Sequence, residues 1–441
     1  MNFSQNIKFE YLHFSRNMFK VISLLLFLLA AIYGLQNGWE LYRKQTHQIA
    51  AVKRANEQSV LTVLNWYDNG KKGPVEKTWI DITTPYWASM YLPATILKKP
   101  SALLPFSIGQ AEQYGYYKNV TIRSSVFDAD LAEEIANPER LSLGTLDFGF
   151  VVLYLLPLLI IISLFNIGGL EKDLDFYKLV IVQGEISFRW LISRYSFYFL
   201  LIGLGLLLLI FPYALLSGAL TQQPLLLVLL LGLVFGYMLF WFAFFYLINR
   251  KGKGTVEQAV KMVSVWVTLS VIIPGAIHQI ASLKYPVNYL TGFLEANRDE
   301  LYKLMDIPPE KLTELVIAAY PELSRTKAAL DKIPREIIVE NSLDVMVNLS
   351  SRRAAQQVER SNEAKNKFVK RTYWINPVVF FQNALNALCG TDYYAYQQFR
   401  NEIQKAIDKK ADMIDTWNKV VIDKEKYLKY LNAENRLKDS K

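Results

Sequence analysis

The sequence predicts a polytopic α-helical membrane protein that carries two large aqueous segments. Of its 441 residues, 52% are hydrophobic and only 20% are charged. The charges are unevenly spread, because long stretches contain none whereas residues 402–441 are dense in lysine, aspartate and glutamate. This composition is that of a membrane protein with sizeable polar parts and excludes a simple soluble enzyme.

The few residues suited to metal or disulfide chemistry are scattered along the chain. Cys389 is the only cysteine, and the three histidines are His13, His47 and His278. None of them has a second ligand at metal-binding spacing, so the sequence predicts neither a zinc site nor a disulfide framework within one chain. The net charge of +9 is matched locally by acids, which favours a solvated surface and basic loops over a nucleic-acid site.

Five stretches are apolar enough to cross a bilayer as helices, since a span needs about 20 mostly apolar residues. They are residues 21–36, 148–166, 195–216, 224–248 and 260–281. The helical pattern of the first stretch continues through Trp39, Tyr42 and Ala50 towards Trp66, which predicts one rod that leaves the membrane. Pro157, Pro212 and Pro274 lie inside spans, where each frees a backbone carbonyl and allows a kink.

Lysine and arginine in the short loops predict the orientation, because cytoplasmic flanks retain positive charge. The turn at residues 217–223 has none, whereas the other flanks carry Lys8, Arg16, Lys20, Lys172, Lys178, Arg189, Arg194, Arg250, Lys251 and Lys253. We therefore expect a multi-pass protein of the cytoplasmic (inner) membrane with its N-terminus in the cytoplasm. By parity, both large polar segments are then extracytoplasmic.

This topology divides the chain into four parts. Residues 1–36 are the cytoplasmic N-terminus and first span, and residues 37–147 form a first extracytoplasmic domain of α+β type, with a strand at 119–126. Residues 148–281 contain spans two to five and a cytoplasmic loop at 168–194. Residues 282–441 form a mainly helical extracytoplasmic domain. Within it, residues 376–388 are apolar but too short for a sixth span, so we expect a packed or interfacial helix there, or a segment that re-enters the membrane.

The loop at residues 168–194 is the most informative aqueous stretch. Leu174, Tyr177, Lys178 and Ile181 fall on one helical face, whereas Glu171, Asp173 and Asp175 crowd the first turn, where a helix favours acids. Gly184 suits a left-handed helix end. The pattern predicts a short amphipathic helix along the cytoplasmic surface, and an interfacial helix without a protein partner is the alternative. The chain has no phosphate-binding loop, no metalloprotease motif and no intramembrane acid–base pair, so we expect no catalytic activity of its own.

One run of residues resembles a known family. Asn137-Pro138-Glu139-Arg140-Leu141 is followed by Gly144, Asp147, Phe148, Tyr154 and Pro157, and then by Glu171. The run is similar to the stretch that enters the second span in permease subunits of type-2 ABC transporters, in the branch with a large extracytoplasmic insertion between the first two spans. Two features differ: Asp175-Phe176 and Gln183-Gly184 replace the family's Gly-Thr and Gln-Pro steps, and five spans replace its six.

The resemblance implies a type-2 ABC exporter-like transmembrane domain and a transport function. The loop would be the coupling helix that contacts a separate cytoplasmic ABC ATPase, through Glu171, Asp173, Leu174, Tyr177, Lys178, Gln183 and Gly184. That ATPase would supply ATP and magnesium, and this chain would hold no cofactor and bind no nucleic acid. A second permease, identical or different, and membrane lipids would be its other partners. Two alternatives stay open: an ABC-type mechanotransmission subunit that moves periplasmic partners without passing cargo, and a non-ABC membrane scaffold or sensor.

Overall fold

The computed structural model describes residues 3–121, 124–136, 146–182, 187–286, 293–295, 298–299, 302–303, 306–330, 335–408 and 412–439. Within these residues, five helices are long and apolar enough to cross a membrane, which confirms the predicted polytopic helical membrane protein. The spans are Met18–Asp68, Phe148–Asp173, Arg189–Leu216, Pro224–Lys251 and Thr255–Lys284. We call the end of the bundle that holds residues 166–182 and 249–255 the loop side, and the opposite end the domain side.

The chain is mostly helical, with one small sheet. Its α-helices are α1 (Phe3–Arg16), α2 (Met18–Asp68), α3 (Pro85–Met90), α4 (Asp128–Ala136), α5 (Phe148–Phe150), α6 (Leu156–Leu164), α7 (Gly169–Asp173), α8 (Tyr177–Val182), α9 (Ser187–Leu216), α10 (Ala219–Gln222), α11 (Pro224–Lys251), α12 (Thr255–Val267), α13 (Ile273–Lys284), α14 (Pro309–Ala319), α15 (Lys327–Leu330), α16 (Arg335–Arg371), α17 (Pro377–Cys389), α18 (Tyr393–Asp408), α19 (Asp412–Trp417) and α20 (Lys424–Asp439). The strands are β1 (Thr95–Leu97) and β2 (Tyr117–Asn119), which pair antiparallel.

The first span is a continuous rod, as the sequence predicts. Helix α2 has 51 residues, which corresponds to a length of about 75 Å. Asn17 caps its N-terminal end, since the Asn17 side chain accepts a hydrogen bond from the amide of Lys20 at 3.2 Å. Its far end pairs Asp68 with Lys424 of α20 at 2.5 Å. A single helix therefore connects the membrane bundle to the last helix of the polar region.

Two glycines of α2 let this helix approach neighbouring backbone closely, Gly34 at the start of the second span and Gly38 at Pro105 of the first polar segment. A Cβ atom on Gly34 would lie 2.6 Å from the backbone of Asp147 and Phe148, and one on Gly38 would lie 2.5 Å from the carbonyl of Pro105. Backbone atoms cannot move aside as side chains do, so these positions require glycine. By contrast, Gly232 in the fourth span has open space around it.

Two of the intramembrane prolines follow a local change of helix type. π-Helical turns at Val151–Leu155 and Thr268–Ile272 directly precede the helices that contain Pro157 and Pro274. Proline has no N–H, so Pro157 leaves the carbonyl of Leu153 without its usual helical donor. The hydroxyl of Tyr237 donates to this carbonyl at 2.6 Å, which satisfies it from the fourth span.

The two polar segments pack against each other on the domain side. Each of three apolar cores contains residues from both segments. In the first, Val120 and Phe127 pack with Phe399 and Ile403. The second joins Val63 and Ile82 to Ile422 and Tyr427, and the third joins Leu104 and Ile108 to Tyr396.

The strand predicted at 119–126 is wrong in position, because β2 ends at Asn119. Beyond it, Thr121 and Ser125 donate their amides to Ser124 Oγ and Asp128 Oδ2, both at 2.9 Å, which forms a turn into α4.

A buried ion pair reinforces this contact. Arg400 Nη1 donates to Asp130 Oδ2 at 3.2 Å, and Arg400 Nε donates to Glu359 Oε1 at 2.7 Å. Burial raises the pKa of Asp130 to about 6, and the charge of Arg400 offsets this only in part. Asp130 therefore changes protonation near neutral pH, at the contact between the two polar segments.

The apolar segment at 376–388 is a packed helix, as predicted. The Asn376 side chain caps α17, and Gly390 ends it with a left-handed φ of 66°. Val378, Leu385 and Cys389 are buried in the same core as the spans. Helix α17 is therefore part of the bundle without being a span.

Candidate functional site

Three consecutive charged residues at the end of the second span bind to the neighbouring spans and their ends on the loop side. Glu171, Lys172 and Asp173 lie in α7, and each contacts a different element. Lys172 Nζ donates to the Gly252 carbonyl, next to the end of the fourth span, at 2.6 Å. Asp173 Oδ2 accepts from the amide of Thr255, the first residue of the fifth span, at 3.0 Å. Both bonds satisfy backbone groups that helix ends leave unpaired.

Glu171 makes the third connection, to the third span. Its Oε1 accepts from Arg194 Nη1 at 2.5 Å, while its Oε2 accepts from the amide of Gly168 at 3.0 Å, which caps α7. Arg194 Nε also donates to the carboxylate of Glu10 in α1. One guanidinium therefore links the N-terminal helix, the third span and the loop that follows the second span.

Two further residues complete what we call the Arg194 cluster, which comprises Glu10, Lys20, Glu171, Arg194 and Tyr198. The Tyr198 hydroxyl donates to Glu10 Oε2 at 3.1 Å and accepts from Lys20 Nζ at 3.0 Å. Lys20 also donates to the Ser163 carbonyl at 2.7 Å and to Asn166 Oδ1 at 3.0 Å. Each polar group in the cluster thus has a partner.

The Arg194 cluster is electrically balanced and buried except at Glu171, which is partly exposed. Glu10 is 0% exposed, Lys20 1% and Arg194 6%. Burying a charge costs several kcal/mol unless it is paired and hydrogen-bonded. Here the carboxylates of Glu10 and Glu171 balance the cations Lys20 and Arg194. Separating these four groups would leave buried charges unpaired, which would destabilise the structure. A displacement of the loop would separate them.

The loop exposes an apolar surface next to this anchored end. Leu174, Phe176, Leu179 and Val182, which we call the apolar ridge, are 55% to 81% exposed. Tyr177 instead turns inward, with its ring 6.4 Å from that of Trp190, and Lys172 Nζ lies 5.1 Å from the Tyr177 ring centroid. Lys178 is exposed at the surface. The loop is therefore fixed on its inner side and presents apolar groups on its outer side.

The predicted single amphipathic helix is wrong in detail. Helix α7 ends at Asp173, Asp175 has a left-handed φ of 57°, and α8 begins only at Tyr177. Leu174 therefore lies in a turn and does not share a helix with Tyr177 and Lys178. Aspartate tolerates this conformation better than most residues. Gln183 and Gly184 lie outside the described residues.

The described part of the family-like run contains Asp147, Phe148, Tyr154 and Pro157, and then Glu171. Asp147 caps the second span, since its carboxylate accepts from the amides of Phe150 at 2.6 Å and Ile108 at 2.9 Å. Tyr154 packs on Phe150, with ring centroids 5.0 Å apart. Pro157 is buried in the second span. Asn137, Pro138 and Gly144 lie outside the described residues.

The sequence reading missed Glu10 and Tyr198, and it treated Lys20 and Arg194 only as flanking charges. One signal was present: Glu10 is the only acidic residue before Glu40. An isolated acid beside an apolar span is a candidate for ion pairing. Its partner Arg194 lies 184 positions away, which no local pattern indicates.

The fifth span leaves a polar surface uncovered. It is the least apolar and the least buried of the five. Its exposed residues include Lys261, Ser264, Thr268, His278 and Gln279. In a lipid environment, polar side chains normally face protein or water rather than acyl chains.

Comparison with known proteins is informative only for the second polar segment. Residues 294–430 match the family described as a domain of unknown function, DUF3526. The match includes α16, α17 and α18 and none of the five spans. Neither a search of curated proteins nor a search of solved structures found a match. Among the described residues, no group of three or more His, Cys, Asp or Glu side chains is placed to hold a metal ion.

Proposed function

We propose that the chain is the membrane-spanning permease subunit of an ATP-binding cassette transporter, which moves or extrudes a substrate when a separate ATPase subunit hydrolyses ATP. The observation that carries the proposal is the set of contacts made by Glu171, Lys172 and Asp173. A coupling element must transmit displacement to the spans, and this loop contacts the third, fourth and fifth spans through three successive side chains. Through these contacts a displacement of the loop would reach all three spans.

The apolar ridge is the surface that we assign to the ATPase. Its four side chains project from a loop whose inner side is held by the contacts of Glu171, Lys172 and Asp173. An anchored element with exposed apolar side chains is the arrangement expected of a docking element. The left-handed φ of Asp175 supports the family resemblance, because the family has glycine there and glycine adopts this conformation without strain. By the distribution of lysine and arginine, this side is cytoplasmic and the N-terminus lies on it.

A second permease subunit is the partner that we assign to the fifth span. The exposed surface from Lys261 to Gln279 mixes polar side chains with Val263, Val271 and Ile272, and pairing with another permease would cover its polar groups or enclose them in a water-filled path. ATP binding would then tilt the spans of both subunits as rigid bodies between two states. ATP and magnesium belong to the ATPase, and this chain contributes neither a nucleotide site nor a catalytic residue.

A mechanotransmission subunit is the second candidate function, and one observation favours it. Helix α2 runs unbroken from the Arg194 cluster, through Lys20, to the polar region, where Asp68 pairs with Lys424. Movement on the loop side would therefore reach the extracytoplasmic partners directly, without cargo passing through the membrane. Accumulation of a cargo inside cells that lack the protein would favour transport over this alternative.

Co-purification tests the proposal. The tagged protein is isolated from its native membranes in mild detergent, and its partners are identified and quantified by mass spectrometry. We expect a P-loop ATPase in near-equal amount, lost in Leu179→Asp and retained in the control Val75→Asp, which alters a still more exposed apolar side chain of the polar region. Absence of an ATPase in the presence of nucleotide and cross-linker would refute the proposal and favour a scaffold or sensor.

A further inference from the structure

A cavity of about 260 Å³ lies between α16, α17 and α18 on the domain side. Its walls include Lys370, Tyr373, Phe380, Asn383 and Tyr394. The Asn383 amide donates to the Tyr373 hydroxyl at 2.8 Å, which fixes one side of the cavity. The lining is therefore part apolar and part polar, and it contains one cation, Lys370, and one carboxylate, Asp392.

Helix α17 brings this cavity to the level of the membrane. The ring of Phe381 lies 4.8 Å from that of Tyr237 and 6.3 Å from that of Phe240, both in the fourth span. Tyr237 lies about 20 Å along that helix from Pro224. At its other end α17 meets the domain side, where Asn386 Oδ1 accepts from the Ser107 hydroxyl at 2.6 Å. The helix thus extends from the domain side towards the middle of the bundle.

The turn that precedes α17 carries exposed apolar side chains beside the cavity. Trp374 is 83% exposed, Phe380 43% and Ile375 37%. Exposure of this apolar group to water would be unfavourable, whereas contact with lipid acyl chains would be favourable. Since α17 packs on a span, a bilayer around the spans would surround this turn.

The cation of the cavity, Lys370, is not held in an ion pair by any described residue. Lys370 Nζ lies 4.2 Å from the Tyr394 ring centroid and forms no salt bridge with any described residue. Lys367, one turn earlier, is instead paired with Glu363 at 2.7 Å. Asp392 also lines the cavity, but its carboxylate accepts from the amide of Ala395 at 3.3 Å and caps α18. Lys370 is therefore available to an anion that enters from the membrane surface.

We propose that this cavity binds a phospholipid of the domain-side leaflet, with the lipid phosphate at Lys370 and the acyl chains along Phe380 and Trp374. The proposal goes beyond the transport function and depends only on the chain spanning a membrane. It assigns to the DUF3526-matched region a lipid contact that anchors it to the bundle.

The position of the turn in the bilayer tests the first half of this proposal. Cys389 is buried, so a Trp374→Cys variant in nanodiscs carries a single accessible thiol for an environment-sensitive fluorophore. We expect quenching by nitroxide-labelled lipids and protection from aqueous iodide, as for the control Leu208→Cys in the third span. Quenching by iodide without quenching by lipid, as for the control Val75→Cys, would overturn the proposal.

Lipid retention tests the second half. Native mass spectrometry of protein taken from phosphatidylglycerol nanodiscs should show about fivefold weaker retention of one lipid in Lys370→Gln, since a lysine near anionic headgroups contributes about 1 kcal/mol. The matched control Lys367→Gln should match the wild type. Inorganic phosphate should not displace the lipid. Equal retention in the two variants, or displacement by phosphate alone, would overturn the assignment of the cavity to a phospholipid.

Discussion

Replacing Glu10 with glutamine should release α1 from the bundle while leaving the rest of the Arg194 cluster paired. The substitution preserves size and removes one negative charge. Arg194 then retains Glu171, but it loses the charge-assisted bond to α1, and Tyr198 loses a charged acceptor. A hydrogen bond to a charged group contributes about 1.5–3 kcal/mol, which corresponds to a roughly 10- to 150-fold change in an opening equilibrium.

Hydrogen exchange of the α1 amides measures this opening directly. With the protein in nanodiscs, exchange of peptides that cover α1 should accelerate by about that factor in Glu10→Gln. Peptides from the fourth span should not change. Glu40→Gln is the matched control, because Glu40 is exposed and bonds only to Gln36 on its own helix among the described residues.

A double-mutant cycle with Arg194→Gln separates the ion pair from other effects. Arg194→Gln alone leaves the buried carboxylate of Glu10 and the partly exposed one of Glu171 without their shared cation and should cost about 3–5 kcal/mol. Combined with Glu10→Gln, the cost should be less than the sum of the two. Unchanged α1 exchange in Glu10→Gln, or strictly additive costs, would refute the view that this bond holds α1 to the coupling loop.

Three further predictions concern packing and protonation. Tyr237→Phe leaves the Leu153 carbonyl in the second span without its donor. It should lower the free energy of unfolding in detergent by about 1 kcal/mol. Gly34→Ala should abolish the yield of monodisperse protein through backbone overlap, whereas Gly232→Ala should be tolerated. Because folding raises the pKa of Asp130 to about 6, its contribution to stability is complete below its unfolded pKa of 3.8 and is lost as pH rises through 6. Asp130→Asn should therefore flatten the pH dependence of unfolding between pH 4 and 7, and an unchanged pH profile would contradict this.

The sequence predicted the membrane-spanning helices well because their signal is local. A continuous apolar stretch determines a span by itself, and the structure confirms all five, together with the extension of the first into a rod and the packed helix at 376–388. The cap and the left-handed end of that helix follow from Asn376 and Gly390, whose side-chain chemistry acts on adjacent backbone.

Tertiary pairing was not predictable in the same way. Asp130 and Arg400 lie 270 positions apart, and the shared cores of the two polar segments depend on such distant contacts. The strand predicted at 119–126 does not extend past Asn119 in the described residues, because the Ser124 hydroxyl and the Asp128 carboxylate accept from amides that a strand would need. The interruption of the helix at Asp175 could not be predicted either, because an aspartate with left-handed φ leaves no periodic pattern in the sequence.

Site-specific photo-cross-linking in intact cells tests most directly whether the loop contacts an ATPase. A photoreactive residue replaces Leu179 on the apolar ridge, and a second variant carries it in place of Val75 on the polar region. We predict a covalent adduct with a P-loop ATPase from position 179 and none from position 75. Absence of an ATPase adduct at position 179, with the protein folded and in the membrane, would contradict the assignment of residues 168–194 as a coupling loop.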